Sequence, residues 1–198
     1  IYDCGCGDGS VTGKLVTKKR HIIGFDFSSK MCEKASKKGL KTIQIDMRDL
    51  REISFTDLLF DMNIKESEDN CIIFCESLGC VDNPEEIIEG VIQKNQNLNS
   101  ILLSFPNCDS VIRRIVNSLH TNDVNYFSLE SVEKILHPLS FEISNLNYII
   151  GIPFLYFLPI TIVSRNNLLS KFIKFIAQNL GLNIVVLFKK NIIRKESF

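Results

Sequence analysis

At 198 residues the chain has room for one domain with a sizeable core. Its 45% hydrophobic and 23% charged residues are ordinary for a folded globular protein. Lys plus Arg and Asp plus Glu number 23 each, which argues against the basic excess of a nucleic-acid-binding domain. The runs Lys18-Lys19-Arg20 and Lys37-Lys38 therefore read as solvated faces.

Strand and helix signals alternate along the chain, the pattern of a doubly wound α/β sheet. Ile1 to Asp3 predicts the first strand, and Val11 to Thr17 a short helix. His21 to Asp26 is the second strand. Ser28 or Ser29 then caps a helix that stops at Gly39. Lys41 to Asp46 is the third strand. Leu58 to Phe60 suggests a short helix, and Lys65 to Asn70 a polar loop. Cys71 to Cys75 is the fourth strand. Asn83, Pro84, Glu85 and Glu86 form a helix start, with an N-cap, a proline at N1 and acids in the first turn. Ser100 to Phe105 is the fifth strand, stopped by Pro106. Helices are expected over 109–119 and 129–137, and a sixth strand over Phe141 to Ile149.

Residues 149 to 163 form an apolar run with two prolines, too short to span a bilayer as a helix. It is read as a continuation of strand six plus a cover over the sheet. An apolar wall for a substrate, or an interfacial patch, is the alternative. A helix over 168–180, ending at Gly181, and a last strand from Asn183 to Lys189 complete one domain over 1–198, with 150–180 inserted before that strand.

The seven cysteines, Cys4, Cys6, Cys32, Cys71, Cys75, Cys80 and Cys108, are odd in number and lack paired C-x-x-C spacing. That argues against a disulfide framework or a zinc site, and no metal is expected. A reducing, cytoplasmic setting fits them. No signal peptide is visible.

The chemistry concentrates in the first ten residues. Asp3 leads into Gly5, Gly7 and Gly9, with Asp8 between the last two. Such a loop lets the backbone turn sharply and a ligand approach closely. The helix expected after it would offer free N–H groups. Dinucleotide folds use Gly-x-Gly-x-x-Gly, but Ser10 stands where the third glycine would be. Asp3 and Asp8 would also repel a pyrophosphate and favour a cationic ligand end.

The loop resembles motif I of the class I S-adenosylmethionine (SAM)-dependent methyltransferases. The resemblance implies a Rossmann-like seven-stranded sheet of order 3-2-1-4-5-7-6, with strand seven antiparallel and helices on both faces. It implies SAM as cofactor, bound by Asp3, Cys4, Gly5, Cys6, Gly7 and Gly9. It also implies a helix before the first strand, so Ile1, already inside that strand, suggests a missing N-terminal segment.

Asp26, 23 positions after Asp3, ends strand two, where a carboxylate can accept from two ribose hydroxyls. By the resemblance it is motif II, with Phe27 along the adenine; a helix-capping Asp is the structural alternative. Asp46, or nearby Asp49, would take the adenine amino group, and the amide of Met47 a ring nitrogen. Three acids at carboxyl ends of strands one to three converge where open α/β sheets bind ligands.

Glu76 to Glu86 resembles the segment after strand four in methyltransferases of the ubiquinone-biosynthesis O-methyltransferase type and their small-molecule relatives. Glu76, Leu78, Val81, Asn83 and Pro84 match, while Gly79 and Cys80 replace a Glu-His pair. Metal dependence and a histidine base are accordingly not carried over. Leu103 to Asn107, Phe127 to Leu136 and Phe141 onward resemble the family's later elements.

The implied reaction is in-line methyl transfer to a small molecule or a glycan or lipid precursor, with positioning and water exclusion supplying the acceleration. Glu76 is the candidate base and a cofactor residue; His120 and His137 are alternatives, His21 reads as surface, and nothing beside Cys80 would activate a thiol. No nucleic-acid partner and no transmembrane segment are expected. The competing readings are a non-catalytic methyltransferase-like domain and a nicotinamide-dependent oxidoreductase.

Overall fold

Eight strands lie side by side in the order β3-β2-β1-β4-β5-β8-β6-β7 in a computed structural model that describes residues 1–65, 67, 69–106, 128–152, 155–162 and 183–191. They are β1 Tyr2–Cys4, β2 Ile23–Asp26, β3 Lys41–Gln44, β4 Cys71–Cys75, β5 Ser100–Pro106, β6 Phe141–Ile152, β7 Leu155–Ile162 and β8 Asn183–Lys190. The strands from β1 to β5 pair in parallel; β8 pairs antiparallel with both β5 and β6. The described helices are α1 Ser29–Lys37, α2 Phe55–Asp61, α3 Pro84–Lys94 and α4 Leu129–Leu136.

The expected seven-strand order is present, with β8 as the antiparallel seventh strand. One expectation is corrected. Residues 149–152 continue β6 as expected, but 155–162 pair in the sheet instead of covering it. Residues 155–162 form an eighth, edge strand, with Leu146 opposite Ile162 and Ile152 opposite Leu155. Pro159 lies in this edge strand, the one sheet position where a residue without an N–H is readily tolerated. What the side chains of this stretch touch lies outside the described residues, as do the helices expected over 109–119 and 168–180.

The helix expected over Val11 to Thr17 is a single 3-10 turn, Thr12–Leu15. Val11, Thr12, Val16 and Thr17 are β-branched and Gly13 sits among them, all poor helix formers. The hydroxyl of Thr12 is also drawn away, donating to Asp3. By contrast α1 forms as expected. Ser28 accepts from the Met31 amide, and Gly39 adopts φ +93 beyond the helix end. Asn83 precedes α3 in a left-handed conformation and makes no side-chain cap. That helix start relies on Pro84 and on Glu85 and Glu86 in the first turn.

Strands β4 and β5 read as near-continuous apolar runs because both sheet faces are covered. The main core joins Ile72, Phe74, Ile101 and Leu103 to Ile88 and Val91 of α3. On α2, Phe55 is fully buried and stacks on Tyr2 at 4.1 Å between ring centres and on Phe25 at 5.6 Å. Asn95 accepts the Phe55 amide at 2.7 Å, so the start of α2 is tied to the end of α3. This packing holds the carboxyl ends of β1 to β4 together on one edge of the sheet.

Candidate functional site

The carboxyl ends of β1, β2, β3 and β4 open into one cavity of about 490 Å³, within the size range of small-molecule sites. Of the residues expected to hold the cofactor, Gly5, Asp26, Phe27, Asp46, Met47 and Glu76 line it. Asp3, Cys4, Cys6, Gly7 and Gly9 do not.

The loop after β1 is pinned by β2. The amides of Gly5 and Cys6 both donate to the Phe25 carbonyl, at 2.8 and 3.0 Å. Gly5 has φ +78, and a Cβ there would stand 2.4 Å from Cβ of Ser77 and 3.1 Å from Cε of Met47. The wall from β4 and the wall from β3 thus close on the glycine backbone, and only glycine fits. Ser77 donates to the Cys4 carbonyl at 2.7 Å, clamping the turn after β4 onto β1.

Asp26 is the hinge of the site. Its Oδ2 accepts the Gly7 amide at 2.8 Å and its Oδ1 the Ser28 amide at 2.9 Å. Each oxygen has a second lone pair for a ligand hydroxyl. The helix-capping alternative does not describe it, since the cap of α1 is Ser28. Phe27, 76% exposed, forms part of the cavity rim.

Asp46 accepts from Arg48 three times: from the amide at 2.9 Å, from Nε at 2.9 Å and from Nη2 at 2.5 Å. These bonds hold its carboxyl down at about 2. Asp46 also caps the 3-10 turn Met47–Glu52, whose first residue reaches toward Gly5.

Asp3 is buried behind the loop rather than in the cavity, where it accepts from Thr12. Burial pushes its carboxyl above the usual range; the Thr12 bond opposes that and the nearby Asp26 charge adds to it. Cys4 lies in the main core, and Cys6 packs with Ile22, Ala35 and Leu40 in a smaller cluster. Burial pushes the Cys6 thiol up to about 12. Gly9 is packed against Ala35, and Asp8 is held well below the usual carboxylate range by Ser10 and Lys38 on the surface.

Glu76, directly after β4, has a left-handed φ of 55. Its amide donates to the Ser104 carbonyl at 2.9 Å. Its Oε1 accepts from the Ser104 hydroxyl and, at 3.4 Å, from Nδ2 of Asn183. Of the alternative bases, His137 is the C-cap of α4, His21 is exposed before β2, and His120 lies outside the described residues. Sequence reasoning missed Arg48, Ser77 and Asp82 in the cavity wall. Only Arg48 left a signal, as a base two residues after a capping acid. Among the described residues, no group of three or more His, Cys, Asp or Glu could hold a metal, and no helix is long and apolar enough to cross a membrane.

Residues 1–68, which contain the loop and the acids of β2 and β3, match the family model described as a methyltransferase domain. Over those residues the chain is similar to a methyltransferase domain, and its sheet has the class I SAM-dependent methyltransferase fold. The fold is shared over nearly the whole chain. A SAM-dependent methyltransferase from Thermotoga maritima, described as a possible histamine N-methyltransferase, superposes with TM-score 0.64 at 15% identity, covering 96% of this chain and 81% of that one. A SAM-dependent methyltransferase from Archaeoglobus fulgidus gives TM-score 0.64 at 16% identity, covering 96% and 85%. Magnesium protoporphyrin IX methyltransferase from Synechocystis, solved with bound S-adenosylhomocysteine (SAH), gives 0.58 at 15%, covering 96% and 73%. No curated protein matches this chain in sequence.

Proposed function

We propose that this domain transfers the methyl group of SAM to a small-molecule acceptor, or to a glycan or lipid precursor, by in-line displacement in the cavity at the carboxyl ends of β1 to β4. The observation that carries the proposal is the meeting of Gly5, Asp26, Asp46 and Glu76 around that one cavity. SAM supplies an electrophilic methyl on a sulfonium and needs no covalent enzyme intermediate.

The chain's own residues bind and orient. Asp26 receives ribose hydroxyls on its remaining lone pairs, and Phe27 lies along the adenine. Asp46 takes the adenine amino group and the Met47 amide a ring nitrogen. The glycine loop from Asp3 to Gly9, including Cys4, Cys6 and Gly7, supplies backbone at the amino acid end. Asp3 and Cys6 act there from behind the loop by holding its shape. Glu76 stands where the methyl is presented and can receive an acceptor proton. Six free thiols among the described residues support a reducing, cytoplasmic setting.

Isothermal titration of SAM, with NAD as control, tests the cofactor half. Saturable SAM binding without NAD binding is expected. Product formation with any acceptor then rules out a non-catalytic domain. A chain that binds SAM with unchanged affinity after Asp26→Ala contradicts the placement.

A further inference from the structure

Glu76 is an acid held in an unusual way. A non-glycine residue with positive φ is uncommon and marks backbone held by its surroundings. Here the hold comes from β5, through the Glu76 amide on the Ser104 carbonyl. The carboxylate is then aimed by two neutral donors, one from β5 and one from β8. They are the Ser104 hydroxyl near the end of β5 and the Asn183 amide at the start of β8. Asn183 can reach because β8 runs antiparallel to β5, with Asn183 opposite Pro106. Both donors act on Oε1, so the charge is oriented without being neutralised.

Among the described residues, no Lys, Arg or His forms an ion pair with Glu76. The cation that lines the cavity, Arg48, is taken up by Asp46. No described histidine lines the cavity either. An oriented carboxylate with no counter-charge among the described residues, in a partly enclosed cavity, favours a cation over a neutral or anionic group. A carboxylate is in general a weak base. An alcohol oxygen needs strong help to lose its proton, whereas an ammonium group gives one up with little help.

We propose that the acceptor is an amine, drawn in as its ammonium form by Glu76, with Ser104 and Asn183 as positioning residues for that carboxylate. This rests on the methyltransferase assignment above. The ammonium first gives a proton to Glu76, directly or through water. The freed nitrogen lone pair attacks the methyl carbon, forming the N–C bond. The C–S bond breaks, and its electron pair stays on sulfur to give SAH. The product leaves as an N-methylammonium, and the proton on Glu76 passes to solvent. The sum is one ammonium plus SAM giving one N-methylammonium, SAH and one proton.

The test begins with SAM titration on the purified chain. Benzylamine, phenethylamine and tryptamine are then compared with benzyl alcohol, 2-phenylethanol and tryptophol. Both binding to the SAH-loaded protein and methyl transfer from labelled SAM are read. The amines are expected to bind at least tenfold more tightly than the matching alcohols, and any transfer should go to nitrogen. Glu76→Gln should abolish the preference. Asn183→Leu should leave SAM affinity within twofold, reduce the amine preference and shift the pH profile of amine binding. Asn183→Gln should restore part of both. Equal binding of the two sets, or preference for the alcohols, overturns this inference alone. Absence of SAM binding overturns the cofactor reading, and this inference with it.

Discussion

The Gly7 amide donates to Oδ2 of Asp26 at 2.8 Å, joining the turn after β1 to the end of β2. The carboxylate assigned to the ribose thus also holds the shape of the glycine loop. Its other oxygen holds the Ser28 amide at the start of α1. Asp26→Ala should therefore do two things. SAM affinity should fall at least about tenfold, and the fold should lose about 1.5–3 kcal/mol, the usual scale of a charged hydrogen bond. Calorimetric titration and urea unfolding on the same protein read the two effects separately. Lost affinity with unchanged stability would mean that the two amides find other acceptors.

Gly5 permits no side chain. Gly5→Ala would place a Cβ 2.4 Å from that of Ser77, on a backbone with φ +78. A destabilisation of about 1–3 kcal/mol is expected from overpacking and backbone strain together. The turn carrying Ser77 must shift, so SAM binding should weaken as well. A variant as stable as the parent in denaturant unfolding would refute the close approach of β4 to the loop.

Asp46 should titrate near pH 2 in the folded chain, because the Arg48 side chain and amide stabilise its charged form. The contribution of this contact is present above the ordinary value near 3.8 and is lost as pH falls through the folded value. Carboxyl-carbon NMR across pH 1.5 to 5, an order-of-magnitude window around those values, would locate the midpoint. Arg48→Ala should move it upward. An unmoved midpoint would show that the backbone amide alone holds the charge.

Asp3 shifts the other way. Burial raises its folded value, so the native state holds the proton longer than the unfolded chain. Stability should fall as pH rises from the ordinary value near 3.8 through the raised folded value. Asp3→Asn should remove that slope. Thr12→Val removes the donor that opposes the shift, so it should raise the Asp3 midpoint and cost about 1–3 kcal/mol at neutral pH. Unfolding free energies measured against pH distinguish the three proteins. An unchanged slope in Asp3→Asn would assign the pH dependence elsewhere.

Cys80 is exposed and lines the cavity, whereas Cys4 and Cys6 are buried with thiols pushed up by burial. Iodoacetamide should label Cys80 well before Cys4 or Cys6. Saturating SAM should slow that labelling severalfold if SAM fills the cavity. Mass spectrometry of the peptides reads both. Equal labelling with and without SAM would place the cofactor away from Val81 and Cys80.

Much of this was legible in the chain itself. The alternation of strand and helix signals, the glycines after β1 and the acids ending β2 and β3 are local features, written in periodicity and turn chemistry. They were sufficient to single out the loop and the acids, of which Gly5, Asp26 and Asp46 line one cavity. Helix α1 was legible for the same reason, since Ser28 and Gly39 cap it within its own sequence. Tertiary contacts decided the rest. The segment after the loop became one 3-10 turn because a buried Asp3 draws the Thr12 hydroxyl, a contact nine residues apart. Residues 155–162 of the apolar run became an edge strand because β6 offered an open edge to pair with, which hydropathy alone cannot distinguish from a cover. Glu76 was visible as an acid after a strand, but its grip was not. Asn183 lies 107 residues away and reaches it only because β8 enters the sheet antiparallel between β5 and β6. Local patterning determined which elements form and which acids end them. Pairing across the sheet determined which side chains share a cavity, because that depends on strand order and direction rather than on neighbours in sequence.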